Sequence, residues 1–270
     1  MIAAAEKNEV PVSDKSSITL KNELVAVARK AGAVILDIYN RDFETLRKAD
    51  RSPVTEADTA AEAVILEALA RLTPDVPVVA EEQCAKDGVP LTAPKRFFLV
   101  DPLDGTKEFI ARNGEFTVNI ALIEDGRPVL GVVYLPATDA CYAGLAGKAE
   151  RRLGTGAPEP IVARATPAEG LTLAISRSHA NQGEIERAKE RFNIAGTIVA
   201  GSSLKFCRIA EGVADLYPRY GNTMEWDTAA GQAVLEAAGG RVETTEGAPL
   251  AYGKAGFRNP HFIAYGRDRA

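Results

Sequence analysis

Apolar and polar positions change period along the chain, and each change marks a change of structure. From Leu20 the apolar residues Leu24, Val27, Ala31, Val34, Ile35 and Ile38 recur at three- and four-residue steps, which predicts an amphipathic helix over about 18–40. Thr55 followed three residues later by Asp58 resembles a capping box. Behind it Ala61, Ile65, Ala68, Leu69 and Leu72 carry a second helical stripe. Beyond Pro74 the stripe gives way to short β-branched and aromatic runs that read as strands: Val76–Ala80, Arg96–Val100, Phe116–Ile123, Val129–Leu135 and Asp139–Leu145. Asp125-Gly126 predicts an antiparallel hairpin between the third and fourth. Strands Leu171–Ile175 and Thr197–Ala200 then mix with helices near Glu184–Phe192 and Ser203–Glu211. Asp227–Ala238 is a small-residue helix closed by Gly239-Gly240. The pattern predicts a layered α/β architecture with α+β layering.

Residues 1–16 are polar and without period, which predicts a loose arm outside the core. Gly154 to Pro160 (GTGAPEP) is the most loop-rich stretch, and it divides a first lobe, 17–157, from a second, 158–270, within one compact unit. With 270 residues, 46% of them hydrophobic, the chain can bury a sizeable core. A net charge of −5 argues against binding a nucleic-acid polymer, which needs clustered Lys and Arg. A small anionic substrate stays open if metal ions supply local positive charge. Cys84, Cys141 and Cys207 form no CxxC pair and read as free thiols in a reducing compartment. No apolar run approaches the ~20 residues of a membrane span, and Met1 to Ser17 lacks a basic segment followed by an apolar one. A cytoplasmic protein with no integral membrane span is expected.

The densest chemical signal is Asp101-Pro102-Leu103-Asp104-Gly105-Thr106, directly after the apolar strand Arg96–Val100. Pro102 and Gly105 predict a turn that aims both acids into one space at a strand end, where α/β sheets bind ligands. Taken alone, an Asp in a turn is ordinarily an Asx-turn residue in water. Two further acidic positions change that reading. Val76–Ala80 also ends in acids, Glu81-Glu82, and Trp226-Asp227 sets another at a helix start. Carboxylates without His or Cys companions suit a hard cation such as Mg²⁺ or Mn²⁺. Ser176-Arg177-Ser178-His179 follows a strand, and Gly201-Ser202-Ser203 precedes a helix carrying Lys205. Small residues at such a start can hold an anion, and they are also common as plain turns. Glu82, Lys107 and Glu108 read equally as solvent-facing or as supports for the site. Trp226 reads as packing and His261 as incidental.

The acidic Glu-Glu, the Asp-Pro-Leu-Asp-Gly-Thr run and the distant Trp-Asp, in this order, resemble the inositol monophosphatase superfamily. DPLDGTKEFI, NGEFTVNIALI, GVVY, ISRSH and GSSLKF are similar to its CysQ-type 3′(2′),5′-bisphosphate nucleotidases over about residues 20–265. The resemblance implies alternating helix and sheet layers of the sugar phosphatase fold, with a metal-binding first lobe and a substrate-binding second lobe. It implies a phosphomonoesterase that removes the 3′-phosphate of 3′-phosphoadenosine 5′-phosphate, with the sulfated analogue as a further substrate. Water would attack without a covalent intermediate, and Li⁺ would inhibit. Glu81, Asp101, Asp104 and Asp227, with the carbonyl of Leu103, would hold two or three Mg²⁺ ions, with Mn²⁺ as a substitute. Asp58 and Thr106 would activate the water, with Glu81 beside them. Gly105, Ser178, His179, Gly201, Ser202, Lys205 and Arg219 would contact the nucleotide together with Glu81, Leu103, Asp104, Thr106 and Asp227. The resemblance admits a homodimer and peripheral contact with the inner membrane. An inositol-phosphate or sugar-phosphate phosphatase is the alternative enzyme. A haloacid-dehalogenase phosphatase is excluded, because its two acids are separated by one residue and here by two. A non-catalytic binding protein of the same fold fits poorly, since clustered acids destabilise a chain that binds no cation.

Overall fold

In the computed structural model, which describes residues 15–47, 53–178 and 182–268, the apolar stripe from Leu20 forms α1 (Lys15–Tyr39), starting ahead of the expected 18. A short hairpin, β1 (Thr45–Arg47) and β2 (Pro53–Thr55), leads into α2 (Glu56–Leu72). The capping box is present: Asp58 accepts from the Thr55 backbone N–H, and Thr55 Oγ1 accepts from Ala57 N–H. The first sheet follows. Its seven strands lie in chain order: β3 (Val78–Ala80), β4 (Arg96–Asp104), β5 (Thr117–Glu124), β6 (Arg127–Leu135), β7 (Ala140–Leu145), β8 (Lys148–Leu153) and β9 (Glu159–Ile161). The hairpin at Asp125-Gly126 is antiparallel as expected. Helix α3 (Glu81–Asp87) follows β3, and α4 (Thr106–Ile110) follows β4.

Two expectations about this half change. The Asp101–Asp104 run is a continuation of β4, with a register break between Asp101 and Asp104, and the expected turn is absent. Pro102 has no N–H to donate to β5, and Asp101 Oδ1 accepts the Leu103 N–H at 3.0 Å, so the ladder skips to Asp104 opposite Thr117. The Gly154–Pro160 seam is bridged: β9 pairs antiparallel with β8, so the first sheet extends past the expected boundary to Ile161.

The second sheet has the order β11-β10-β12-β14-β13. It comprises β10 (Leu171–Ser176), β11 (Ile194–Ala200), β12 (Leu216–Arg219), β13 (Arg241–Thr244) and β14 (Phe262–Tyr265), with the last three absent from the sequence reading. Helices α5 (Gln182–Arg191), α6 (Leu204–Ala210) and α7 (Ala229–Ala237) complete the chain.

Alternation along β4 sorts its neighbours into two layers. Phe98 and Val100 pack with α1 and α2, whereas Phe97 and Leu99 join α6, α7 and the inner face of the second sheet. Leu173, Leu216 and Ile263 on that sheet's other face pack with Ala188 of α5. The order is therefore helices, sheet, helices, sheet, helix, matching the predicted layered class. Close contact of α7 with the first sheet depends on two glycines. A Cβ on Gly131 would lie 2.5 Å from the Ala230 carbonyl, and one on Gly144 would lie 2.6 Å from that of Ala233. Gly131→Ala should cost about 1–3 kcal/mol in urea unfolding, the range for overpacking. A change under 0.5 kcal/mol would mean that α7 can lift off the sheet freely.

Candidate active site

Parallel pairing of β3 with β4 places Ala80 beside Val100, so Glu81 and Asp101 emerge from adjacent strand ends. Both acids are then forced together. Asp101 is 2% exposed, and its carboxyl is held well above the usual range, first by burial and then by Glu81, Asp104 and Asp227, with a hydrogen bond to Glu81 adding to the rise. Asp227, just ahead of α7, is raised by burial and by Asp104 and Glu81, and its carboxylate accepts the Met224 N–H at 2.8 Å. Asp104 is raised by burial to about 6, although Lys205 and the Ser203 N–H oppose the rise. That N–H donates to Asp104 Oδ2 at 2.7 Å.

Ser203 also joins the two lobes. Its hydroxyl donates to the Asp227 carbonyl at 2.7 Å and accepts from Asn119 Nδ2 at 2.9 Å. Among the described residues no three acid, His or Cys side chains already meet with metal-site spacing. The acids are close enough to hydrogen-bond one another, and such a pair holds a proton where a cation would hold both oxygens.

Thr106, the first residue of α4, donates from Oγ1 to Asp58 Oδ1 at 3.2 Å and lies 3.5 Å from the Leu103 carbonyl. The other Asp58 oxygen accepts the Thr55 N–H and hydroxyl, both at 2.8 Å. Asp58 is therefore helix cap and site residue at once. Gly105 precedes Thr106 with φ +91°, a left-handed value that favours glycine. Glu62 fixes the start of α3 by accepting the N–H groups of Glu82 and Gln83, each at 2.8 Å.

These groups open onto a cavity of about 670 Å³, lined by Glu81, Asp104, Thr106 and Asp227 and also by Ser202, Lys205 and Arg219. Lys205, expected to contact the nucleotide, lines the cavity while 4% exposed; it donates to the carbonyls of Ser202 at 2.6 Å and Ala200 at 3.3 Å, and lies over the Tyr217 ring. Burial lowers its pKa to about 8, with Asp104 pulling the other way. Arg219 donates to the Asn222 carbonyl at 3.2 Å. Ser178 is exposed but bonds Glu108. His179 lies outside the described residues, as do residues 1–14 of the expected arm. Lys15 and Ser16, also assigned to that arm, belong to α1.

Glu108 and Lys107 part company: Lys107 is exposed and Glu108 is 3% exposed. Glu115 escaped the sequence reading altogether. It takes two hydrogen bonds from Arg177, at 2.6 and 2.7 Å, and the Gly201 N–H at 2.7 Å. Burial raises its carboxyl, but these donors outweigh burial and hold it below the ordinary value. No room is left for a side chain at Gly201, where a Cβ would lie 2.7 Å from the Glu115 carbonyl. Trp226 packs, 6% exposed, as expected.

Comparison with known proteins identifies the family. The model of the inositol monophosphatase family matches residues 18–265. The chain is 48% identical over 244 residues to the 3′(2′),5′-bisphosphate nucleotidase CysQ of Escherichia coli strain K12, covering 89% of this chain and 97% of that protein. Its fold matches the crystal structure of CysQ from Bacteroides thetaiotaomicron with a TM-score of 0.76 at 38% identity, covering 92% of this chain and 98% of that one. It matches inositol monophosphatase from Anabaena with a TM-score of 0.72 at 30% identity, covering 92% and 90%. No helix among the described residues is long and apolar enough to cross a membrane. The chain belongs to the inositol monophosphatase family.

Proposed function

We propose that the chain is a Mg²⁺-dependent 3′(2′),5′-bisphosphate nucleotidase that hydrolyses the 3′-phosphate of 3′-phosphoadenosine 5′-phosphate to AMP and phosphate, with the sulfated analogue as a further substrate. One observation carries the reading: one cavity is lined both by acids, Glu81, Asp104 and Asp227, and by cations, Lys205 and Arg219 among them. Such a cavity can take a molecule with one phosphate to be cleaved and a second to be recognised. The named activity of the relative at 48% identity supports the same substrate.

Metal dependence is general in the family, and the donor set fits a hard cation. Glu81, Asp101, Asp104, Asp227 and the Leu103 carbonyl offer only oxygen. Cys84 also lines the cavity, where burial and then Glu62 and Glu81 push its thiol up to about 11. Two or three Mg²⁺ ions, or Mn²⁺, held there would neutralise phosphate charge and acidify water. Thr106 Oγ1 accepts a proton from the attacking water as its own passes to Asp58 Oδ1. Asp58 can take it because its second oxygen is fixed by Thr55. No phosphorylated enzyme forms. Ser202, Lys205 and Arg219 make up the substrate wall, with Gly105 beside the reacting phosphate.

Phosphate release should be measured on a panel of 3′-phosphoadenosine 5′-phosphate, inositol monophosphates and fructose bisphosphate. The adenosine bisphosphate is expected to give the highest kcat/KM, with activity abolished by EDTA and restored by Mg²⁺. An inositol phosphate giving the highest kcat/KM would move the chain to the inositol branch. Full activity in EDTA would remove the metal assignment.

A further inference from the structure

Four cationic side chains line the cavity: Lys107, Lys205, Arg219 and Arg258. Three of them are tied to its acids or to Thr106. Lys107 adjoins Thr106. Lys205 is buried, bonds two carbonyls and offsets the charge of Asp104, while Arg219 bonds the Asn222 carbonyl and offsets that of Asp227. Arg258 differs. It is exposed, and its guanidinium has no hydrogen-bond or ion-pair partner among the described residues.

The backbone that carries Arg258 is nonetheless fixed. Arg258 bridges Met224 in antiparallel fashion, Glu225 N–H donates to the Phe257 carbonyl at 2.8 Å, and Asn259 N–H donates to that of Thr223 at 3.0 Å. Asn259 Nδ2 adds a bond to the Met224 carbonyl at 2.7 Å. Met224 N–H in turn bonds the Asp227 carboxylate. One hydrogen-bonded ladder thus sets the root of Arg258 at a constant offset from Asp227, at the wall of the same cavity. A guanidinium is the side chain best suited to two-point recognition of a phosphate.

We propose that Arg258 is a specificity-determining residue that binds the non-reacting 5′-phosphate of the substrate. The inference rests on the bisphosphate reading. Wild type, Arg258→Gln and Arg258→Lys are to be compared on adenosine 3′,5′-bisphosphate and adenosine 3′-phosphate, which share the reacting group and differ in the second anion. Adenosine 5′-phosphate, which carries only the second anion, serves as competing inhibitor. In Arg258→Gln the ratio of kcat/KM, bisphosphate over monophosphate, should fall by about tenfold or more, mainly through KM, the scale of a lost charge-assisted contact. The inhibition constant of adenosine 5′-phosphate should weaken in parallel, and Arg258→Lys should recover part of both. A ratio within twofold of wild type in an enzyme that prefers the bisphosphate overturns the Arg258 assignment alone. A wild type that prefers inositol phosphates overturns the bisphosphate reading itself, and the Arg258 assignment with it.

Discussion

Asp104→Asn is expected to abolish phosphatase activity while making the metal-free chain more stable. The loss should exceed the roughly 100-fold typical of groups that merely orient a metal ligand, because this change removes ligand charge itself. The gain follows from the protonation of the folded state. Asp104 titrates at about 6 when folded against an ordinary 3.8, so the folded chain binds this proton more tightly than the unfolded one. Stability therefore falls as pH rises from about 4 to about 6, and the penalty is complete above that. At pH 7 in EDTA it amounts to about 1–3 kcal/mol, at 1.36 kcal/mol per pKa unit and discounted for partial exposure. Asparagine carries no charge, and its oxygen can still accept the Ser203 N–H. The check is a pair of denaturant titrations in EDTA, at pH 4.5 and pH 7. The variant should gain at pH 7 and much less at pH 4.5. Equal stability at both pH values would show that the acids do not oppose each other in the fold.

Asp58→Ala should lose activity and stability together, and Asp58→Asn should separate the two. Alanine leaves the Thr55 N–H and hydroxyl without their buried acceptor, on top of a lost helix cap, which together cost about 2–4 kcal/mol. It also removes the proton acceptor behind Thr106, a loss of about 10²–10⁴ in kcat. Asparagine can keep an oxygen toward Thr55 and retain most of the stability. Its amide then faces Thr106 and donates, which reverses the hydrogen bond on which proton transfer depends. The expected result is an enzyme nearly as stable as wild type by thermal melt and as inactive as Asp58→Ala. An active Asp58→Asn enzyme would reduce Asp58 to a helix cap.

Asp58 also shows how far the sequence could be read. Its capping-box spacing is a local signal, visible three residues away, and the matching N–H and carboxylate are found where it points. Glu81, Asp101 and Asp104 stood out because they follow apolar strand runs and Asp227 because it opens the small-residue helix, and the family resemblance joined them into one set. Glu108 and Glu115 gave no such signal. They act on Ser178, Arg177 and Gly201, across sequence separations that no window of residues spans. Strand β12 escaped because it is four residues long and contains Pro218, too short for a period to emerge. Lys205 was read as a phosphate ligand from its place after Gly-Ser-Ser; its burial was a separate property, carried by the apolar neighbours Leu204, Phe206 and Cys207.

Helix α7 wedged against Gly131 and Gly144 has a consequence during synthesis. The inner face of the first sheet, with Phe97, Leu99, Val133 and Tyr142, is covered by α6, α7 and the second sheet, all of which leave the ribosome later. The sheet ends at Ile161 and α7 at Ala237, 76 residues later, which is about 4–15 s of elongation. Through that interval a nascent chain carries an aromatic face open to water and to chaperones. Asp227 sits just ahead of α7 and joins the other acids only when that helix packs, so its repulsion of Asp104 and Glu81 enters as a late cost of folding.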